Sequence, residues 1–395
     1  MQSSTFVPTN FMIEVIDTLA ELVRINSVNP EWAGPGEAEL AKWVRRFFER
    51  AGIEVWEEET LPGRKNVMAR IPGADSNRRI LLEAHMDTVS VTNMDFDPFE
   101  PVVESDRMLG RGSCDVKGGL AAMMHAVVAV KETGEIPPCE IIFAAVVDEE
   151  HAFRGVLKLI EFLRKGSLPE AAVVAEPTEL RTVRANKGVL RWNVTTRGKS
   201  AHSSNPNLGK SAISDMARVI LALEEHFSEL EKETHPLVGT KTGSIGVIEG
   251  GAQVNLVPDR CQIKIDRRLL PGETAQEALA QCEEALKNLR AKHPQIEVEM
   301  EPPFLTDEAM ETPVDARVVE TASRILRSMG LEGQSTGVSF GCDCTKLSRA
   351  GIPSIIFGPG SIERAHTSNE FVEINQVQKA LEFYRRFLLE FGKPS

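Results

Sequence analysis

Basic charge is in short supply: 45 Lys and Arg stand against 58 Asp and Glu, a net charge of -13. With no positive field to hold phosphates or anionic headgroups, nucleic acid and membrane surfaces are excluded as expected partners. The sequence shows no apolar run of bilayer-spanning length, and Met1 to Asn10 lacks the basic-then-apolar order of a signal peptide. A cytoplasmic location is the resulting expectation. Cys-x-x-Cys spacing is missing as well. The six cysteines, Cys114, Cys139, Cys261, Cys282, Cys342 and Cys344, are scattered, which argues against a zinc ribbon or a disulfide framework and leaves them as reduced core thiols. Repeats and low-complexity stretches are also absent. What remains is an ordinary globular composition, 42% hydrophobic and 26% charged, over 395 residues. That length exceeds what one core serves, so two domains are expected.

Apolar spacing predicts helices at Phe11 to Arg24, Glu37 to Ala51, Lys117 to Glu132 and Phe153 to Lys165. Strands are predicted at Ile53 to Glu58, Asn66 to Ile71, Ile80 to His85, Glu140 to Val147 and Ala171 to Ala175. Strands alternating with helices imply an α/β fold with a mixed, largely parallel sheet and helices on both faces. After Glu179 the texture changes. Leu190, Trp192 and Val194 alternate with polar residues, and Asn186-Lys187-Gly188 before them suggests a hairpin turn. Residues 185–301 then follow βαββαβ order, an inserted α+β sandwich, and α/β texture returns beyond Pro302-Pro303. The expectation is a discontinuous domain of 1–184 and 302–395 with residues 185–301 inserted.

Chemistry-bearing side chains gather at the predicted strand ends. His85 closes an apolar strand, and Asp87 two residues on shares its side, placed to accept the other ring N–H of a metal-ligating imidazole. Asp115 lies in a glycine-dense loop, Gly110 to Gly119, that lacks the spacing of a phosphate cradle. Glu149 and Glu150 end the strand through Val147, Glu176 follows the next, and His366 sits in a late loop. Open α/β sheets bind ligands at such ends. Carboxylates gathered there repel unless cations neutralise them, and two divalent ions shared by three carboxylates and two imidazoles would do so. Nitrogen and oxygen donors without cysteine suit zinc, with cobalt or manganese as alternatives.

These residues resemble the motifs of the zinc-dependent M20 metallopeptidases, a family that includes acetylornithine deacetylases, succinyl-diaminopimelate desuccinylases, aminoacylases and glutamate carboxypeptidases. The matching stretches are His85-Met86-Asp87-Thr88-Val89, Gly110 to Gly119, Asp148-Glu149-Glu150, Glu176-Pro177-Thr178, Ser200 to Ser204, and Gly358-Pro359-Gly360 with Ala365 to Glu370. The resemblance implies two divalent metal ions per chain, bridged by Asp115, with His85 and Glu176 completing one site and Glu150 and His366 the other. It implies that Asp87 orients His85, that Glu149 is the general base for the attacking water, and that the Asp115-Val116 peptide is cis. The inserted domain would serve as lid and dimerisation domain. There His202 would donate to the substrate carbonyl, from the partner subunit in a homodimer, while Asn255 and Arg268 would hold the substrate's carboxylate end.

The implied activity is hydrolysis of the amide of a small N-acyl amino acid, as in acetylornithine deacetylase. Alternatives are a metallo-dipeptidase or carboxypeptidase acting on a dipeptide, a succinyl-diaminopimelate desuccinylase, and, more remotely, a non-catalytic binding homologue. The desuccinylase branch usually carries an arginine where Gly341 to Lys346 has Thr345, which argues against succinyl recognition. The Gly358 to Ile362 stretch leans toward the deacetylases. For a non-catalytic homologue a ligand or base would be missing, and none is.

Overall fold

The apolar run ending at His85 lies in the middle of a sheet in the computed structural model, which describes residues 14–393. Contacts sort the chain into two units: Met1–Thr182, Val314–Ser335 and Ala350–Ser395 form the first, Val183–Pro313 and Thr336–Arg349 the second. The second unit thus extends past the 185–301 expected from sequence, because pairing pulls flanking segments into it. Leu305–Asp307 adds to the strand Gly188–Arg197, while Met310–Glu311 and Thr336–Val338 both pair with Val183–Asn186.

The main sheet of the first unit holds β1 (Glu54–Leu61), β2 (Arg64–Ile71), β3 (Asp75–His85), β4 (Cys139–Val146), β5 (Ala171–Val174) and β6 (Ser354–Ile356). They run in the order β1-β2-β4-β3-β5-β6. β1 and β2 pair antiparallel, as do β2 and β4; the pairings β4–β3, β3–β5 and β5–β6 are parallel. Every residue of β4 is buried, which explains the unbroken apolar run Ile141 to Val146: a strand covered on both faces has no wet side to alternate toward. The mixed sheet and its helices agree with the sequence expectation.

The helices are α1 (Val15–Arg24), α2 (Ala38–Arg50), α3 (Gly118–Thr133), α4 (Arg154–Leu163), α5 (Arg317–Ser328) and α6 (Ile374–Glu390). Residues 11–13 of the expected first helix lie outside the described residues. α2 gives way to Gly52 at φ 65°, a left-handed position that a side chain would resist. One core gathers Val67, Ala69, Ile80, Leu82, Ala84, Ile141 and Phe143 from the sheet with residues of α1, α2, α3, α5 and α6. α4 packs on β1, β2 and β4, and its buried residues stand outside that core, on the other face of the sheet. α3 is buried almost all round because α1 and α6 lie against it. The helix Ser113–Thr133 is long and apolar enough to cross a bilayer by length and composition, contrary to the sequence reading, yet 89% of that window is buried in the protein. Tyr384 of α6 donates to the Phe357 carbonyl at 2.5 Å, satisfying the one polar atom of a buried aromatic stack.

The second unit has βαββαβ order as expected. Its strands run Thr242–Gly250, Arg260–Leu269, Gly188–Arg197, Glu297–Met300, all antiparallel, with helices Ala212–Leu230 and Ala275–Lys292. Leu190, Trp192, Val194, Ile263 and Ile265 join Val219, Leu223 and Leu286 in its core. Asn186-Lys187-Gly188 is not the hairpin turn its sequence suggested. Val183–Asn186 and Gly188–Arg197 belong to different sheets, so the glycine passes the chain from one to the other. A Cβ on Gly188 would meet the Ala309 amide nitrogen at 2.5 Å, a second reason for glycine there.

Candidate metal centre

β3 delivers His85 at its carboxyl end, β4 leads into Glu149 and Glu150, and β5 leads into Glu176. Two loops add Asp115, just before α3, and His366, ahead of α6. Parallel β3, β4 and β5 end on the same edge, so the sheet itself brings four of these positions together. His85 Nε2 stands 3.1 Å from Asp115 Oδ1, and His366 Nε2 stands 3.2 Å from Asp115 Oδ2. One carboxylate thus turns an oxygen toward each imidazole. Glu176 Oε1 lies 4.0 Å from His85 Nε2, and Glu150 lies 3.1 Å from His366 Nε2. Donor atoms of His85, Asp115 and Glu150 all lie within 4.8 Å of one another, as do those of His85, Glu149 and Glu176.

The electrostatics are those of an acid cluster short of cations. Burial pushes Glu150 up to about 7, with the Asp115 charge adding to it and His366 opposing. Burial and the Asp115 and Glu149 charges hold Glu176 well above the usual carboxylate range. Asp115 is driven the other way despite its burial, by hydrogen bonds from His366 and His85. His366 is raised to about 11 because the Asp115 and Glu150 carboxylates outweigh its burial. Buried acids crowded together beside two imidazoles form a donor set whose repulsion divalent cations would relieve, and oxygen and nitrogen ligands without thiolate fit a catalytic site.

The Asp115 loop is clamped from the far end of the chain. Glu370, fully buried, accepts from the Cys114 and Asp115 amides at 3.0 Å each, and from Arg111 Nη1 at 2.5 Å. Gly112 holds φ 80°, where a Cβ would meet Thr88 Cγ2 at 2.7 Å, so this turn requires glycine. The Asp115-Val116 peptide is cis, as the resemblance implied.

Asp87 departs from its expected contact. His85 Nδ1 lies 3.0 Å from the Asp87 carbonyl oxygen, whereas the nearer carboxylate oxygen is 3.7 Å away. The backbone, not the side chain, receives the ring N–H. The carboxylate instead accepts from the Glu149 and Glu150 amides at 3.0 and 3.2 Å and from Asn29 Nδ2 at 2.7 Å. Behind it, Asp148 is fully buried, paired to Arg64 at 3.1 Å and to Arg154. Glu37 accepts from the Asp148 amide at 3.0 Å and from Arg64 at 2.5 and 2.6 Å. Asn66 accepts from the Val147 amide at 3.1 Å and donates to the Gly155 carbonyl at 2.8 Å. Sequence reasoning passed over Asn29, Glu37, Arg64, Arg111 and Asp148. Asn29, Glu37 and Arg64 lie far apart in sequence and carry no local signal; Arg111, Asp148 and Glu370 fell inside quoted motifs but were given no role there.

His202, Asn255 and Arg268 belong to the second unit, apart from the six ligand and base candidates, which all lie in the first. His202 is exposed; its Nδ1 accepts from the Ser204 amide at 3.2 Å, which places the proton of the neutral ring on Nε2. Asn255 is exposed, its carbonyl accepting from the Ser203 amide at 3.0 Å. Arg268 donates to Asp266 at 2.8 Å, and its neighbour Arg267 is the fully buried one, bonded to Glu273 at 2.8 Å.

The profile of peptidase family M20/M25/M40 matches residues 81–390. An acetylornithine deacetylase of Myxococcus xanthus is 30% identical over 88% of this chain and 87% of its own length. That of Vibrio campbellii (strain ATCC BAA-1116) is 28% identical over 96% and 98%. Among solved structures, aminopeptidase PepT from Bacillus cereus ATCC 10987 shares the fold at TM-score 0.77 and 23% identity, over 96% of this chain and 98% of that one. The YXEP protein of Bacillus subtilis, described as a dinuclear metal binding peptidase from the M20 family, superposes at TM-score 0.73 and 16% identity, over 95% and 98%.

Proposed function

The chain belongs to peptidase family M20/M25/M40, hydrolases acting on amides, and from there we propose that it is a two-metal amidohydrolase releasing a free amino acid from a small N-acyl amino acid. The observation that carries this reading is Asp115, with one oxygen toward His85 and the other toward His366. His85, Asp115 and Glu176 would hold one ion, and Asp115, Glu150 and His366 the other. Zinc is proposed, with cobalt and manganese as alternatives that the same donors accept. Bound there, the ions would polarise the amide carbonyl and make water a better nucleophile.

Glu149 is 7% exposed, on the same edge as the ligand candidates. As general base it takes a proton from the attacking water and returns it to the leaving nitrogen, so that an amine and not an amide anion departs. His202, protonated on Nε2, would donate to the carbonyl oxygen as the carbon becomes tetrahedral. Asn255 and Arg268 would meet the substrate's carboxylate. A homodimer through the second unit is part of the proposal, supported by the unpaired outer edge of Thr242–Gly250, where Ile248 is 55% exposed.

For the acyl group, acetyl is favoured over succinyl. Thr345 stands where the desuccinylase branch carries arginine; it is fully buried and accepts from Asn186 Nδ2 at 3.0 Å, leaving no cation at that position for a second carboxylate. Purified protein should be stripped by chelation, reloaded with zinc or cobalt, and assayed on N-acetylornithine, other N-acetyl and N-succinyl amino acids, and dipeptides. Metal-dependent deacetylation is expected. Faster turnover of dipeptides than of any acylated amino acid would replace this reading with the peptidase one.

A further inference from the structure

We propose that Asn29 is a positioning residue for Glu149, acting through the two carboxylates that its amide joins. The proposal rests on Glu149 as general base. Asn29 lies 120 residues before Glu149 and is 1% exposed. Its Nδ2 donates both hydrogens to carboxylates, at 2.7 Å to Asp87 and 3.1 Å to Asp148. The orientation of the amide is not free: Oδ1 accepts from the Glu31 amide at 3.1 Å, and the Asn29 backbone N–H donates to the Thr88 carbonyl at 2.9 Å. Asn29 is therefore fixed at both ends before it reaches the acids.

Asp87 in turn holds the two residues that matter. Its Oδ1 takes the Glu149 amide and its Oδ2 the Glu150 amide. The short helix Glu149–Ala152 begins at Asp148, in the left-handed region at φ 68°, so few internal bonds hold these residues. Side-chain acceptors must supply the constraint. Asp148 has Arg64 and Arg154 for cations, whereas the bonds to the Asp87 carboxylate come from two amides and Asn29. Asn29 is thus the neutral donor that keeps two buried carboxylates side by side and sets the rotamer of the one that grips Glu149.

Two substitutions separate this role from space filling. Asn29→Asp keeps the shape, removes both donors and adds a carboxylate facing two others; Asn29→Ala removes the donors and the volume. Positioning predicts that Asn29→Asp is the more damaging, and mere packing predicts the reverse. Asn26→Ala serves as control, since Asn26 caps the Val28 amide in the same segment and touches neither acid. Hydrogen exchange should be followed in the metal-stripped and metal-loaded proteins. Amides of residues 147–153 should exchange about tenfold or more faster in both Asn29 variants, while β4 keeps its protection. In steady-state assays of the loaded enzyme kcat should fall by about 10- to 100-fold at unchanged KM and metal content. Unchanged exchange at 147–153, or faster exchange spread evenly through the first unit, would overturn the proposal, as would Asn29→Ala proving worse than Asn29→Asp. Local loss of protection with kcat intact would uphold the hold of Asn29 on the loop and remove Glu149 from the base role, so the two readings fail separately.

Discussion

Replacing Glu370 with glutamine tests how the Asp115 loop is held. The carboxylate serves three donors with two oxygens: Arg111 on one, the Cys114 and Asp115 amides on the other. Glutamine keeps the shape but offers only one acceptor oxygen. If that oxygen stays on the two amides, the new NH2 faces the Arg111 guanidinium, donor against donor. Arg111 is 3% exposed and keeps only a long contact of 3.4 Å to the Thr367 carbonyl. Breaking a buried pair so that one charge stays unpaired costs about 3 to 5 kcal/mol. Surface pairs of this kind contribute about 0 to 1 kcal/mol, so burial decides the size. Urea unfolding of metal-stripped protein should show this loss for Glu370→Gln and a comparable one for Arg111→Met. The double variant should lose clearly less than the two together, since neither partner is then left alone. Zinc titration by calorimetry should show affinity weakened by about 10- to 100-fold in the single variants, because the loop presents Asp115 to both sites. A Glu370→Gln protein within about 0.5 kcal/mol of the parent, with zinc affinity unchanged, would refute the reasoning.

Glu149→Gln should keep its metals and lose most turnover, whereas Glu150→Gln should lower metal content itself; equal metal loss in both would contradict the assignment of base and ligand. His125, buried between α1 and α3 with Thr18 Oγ1 at 2.7 Å, has its pKa lowered to about 4 by burial, against 6.5 for a free imidazole. Folding therefore favours the neutral ring: its contribution is intact above pH 6.5 and is lost as pH falls through about 4, approaching a maximum of about 3 kcal/mol. Relative to His125→Gln, the parent should lose stability over that window in urea titrations, and a flat difference would reject the point. In the proposed homodimer, His202→Ala and Glu149→Ala proteins should each be nearly inactive, and mixing them should restore activity if the histidine serves the neighbouring subunit; no recovery on subunit exchange would point to a monomer or to a histidine acting on its own chain.

The strands and the candidate ligand set were legible in the sequence for different reasons. β4 and the carboxyl-terminal half of β3 are mostly apolar because they are buried, and a parallel sheet announces itself that way. His85, Asp115, Glu150, Glu176 and His366 stood out as acids and imidazoles placed where apolar runs stop. The supporting polar groups did not. Asn29, Glu37 and Arg64 act through partners 27 to 119 residues away, and one-dimensional spacing carries no trace of such pairings. The contact of Asp87 was misjudged because facing the same side as His85 does not decide whether backbone or carboxylate meets the ring. The hairpin at Asn186-Lys187-Gly188 failed on the same ground, since turn chemistry was right locally while the strand's partners lay more than 120 residues on, at Met310 and Thr336.

The burial of α3 also bears on how the chain is made. Its cover is completed by α6, which begins roughly 240 residues after α3 ends. At ribosomal speeds of about 5 to 20 residues per second, the most apolar helix of the protein waits about 10 to 50 s for its last neighbour. Through that interval Ser113–Thr133 resembles a membrane segment to any factor that samples nascent chains. A chain cut short before Ile374 would leave that face without its α6 cover.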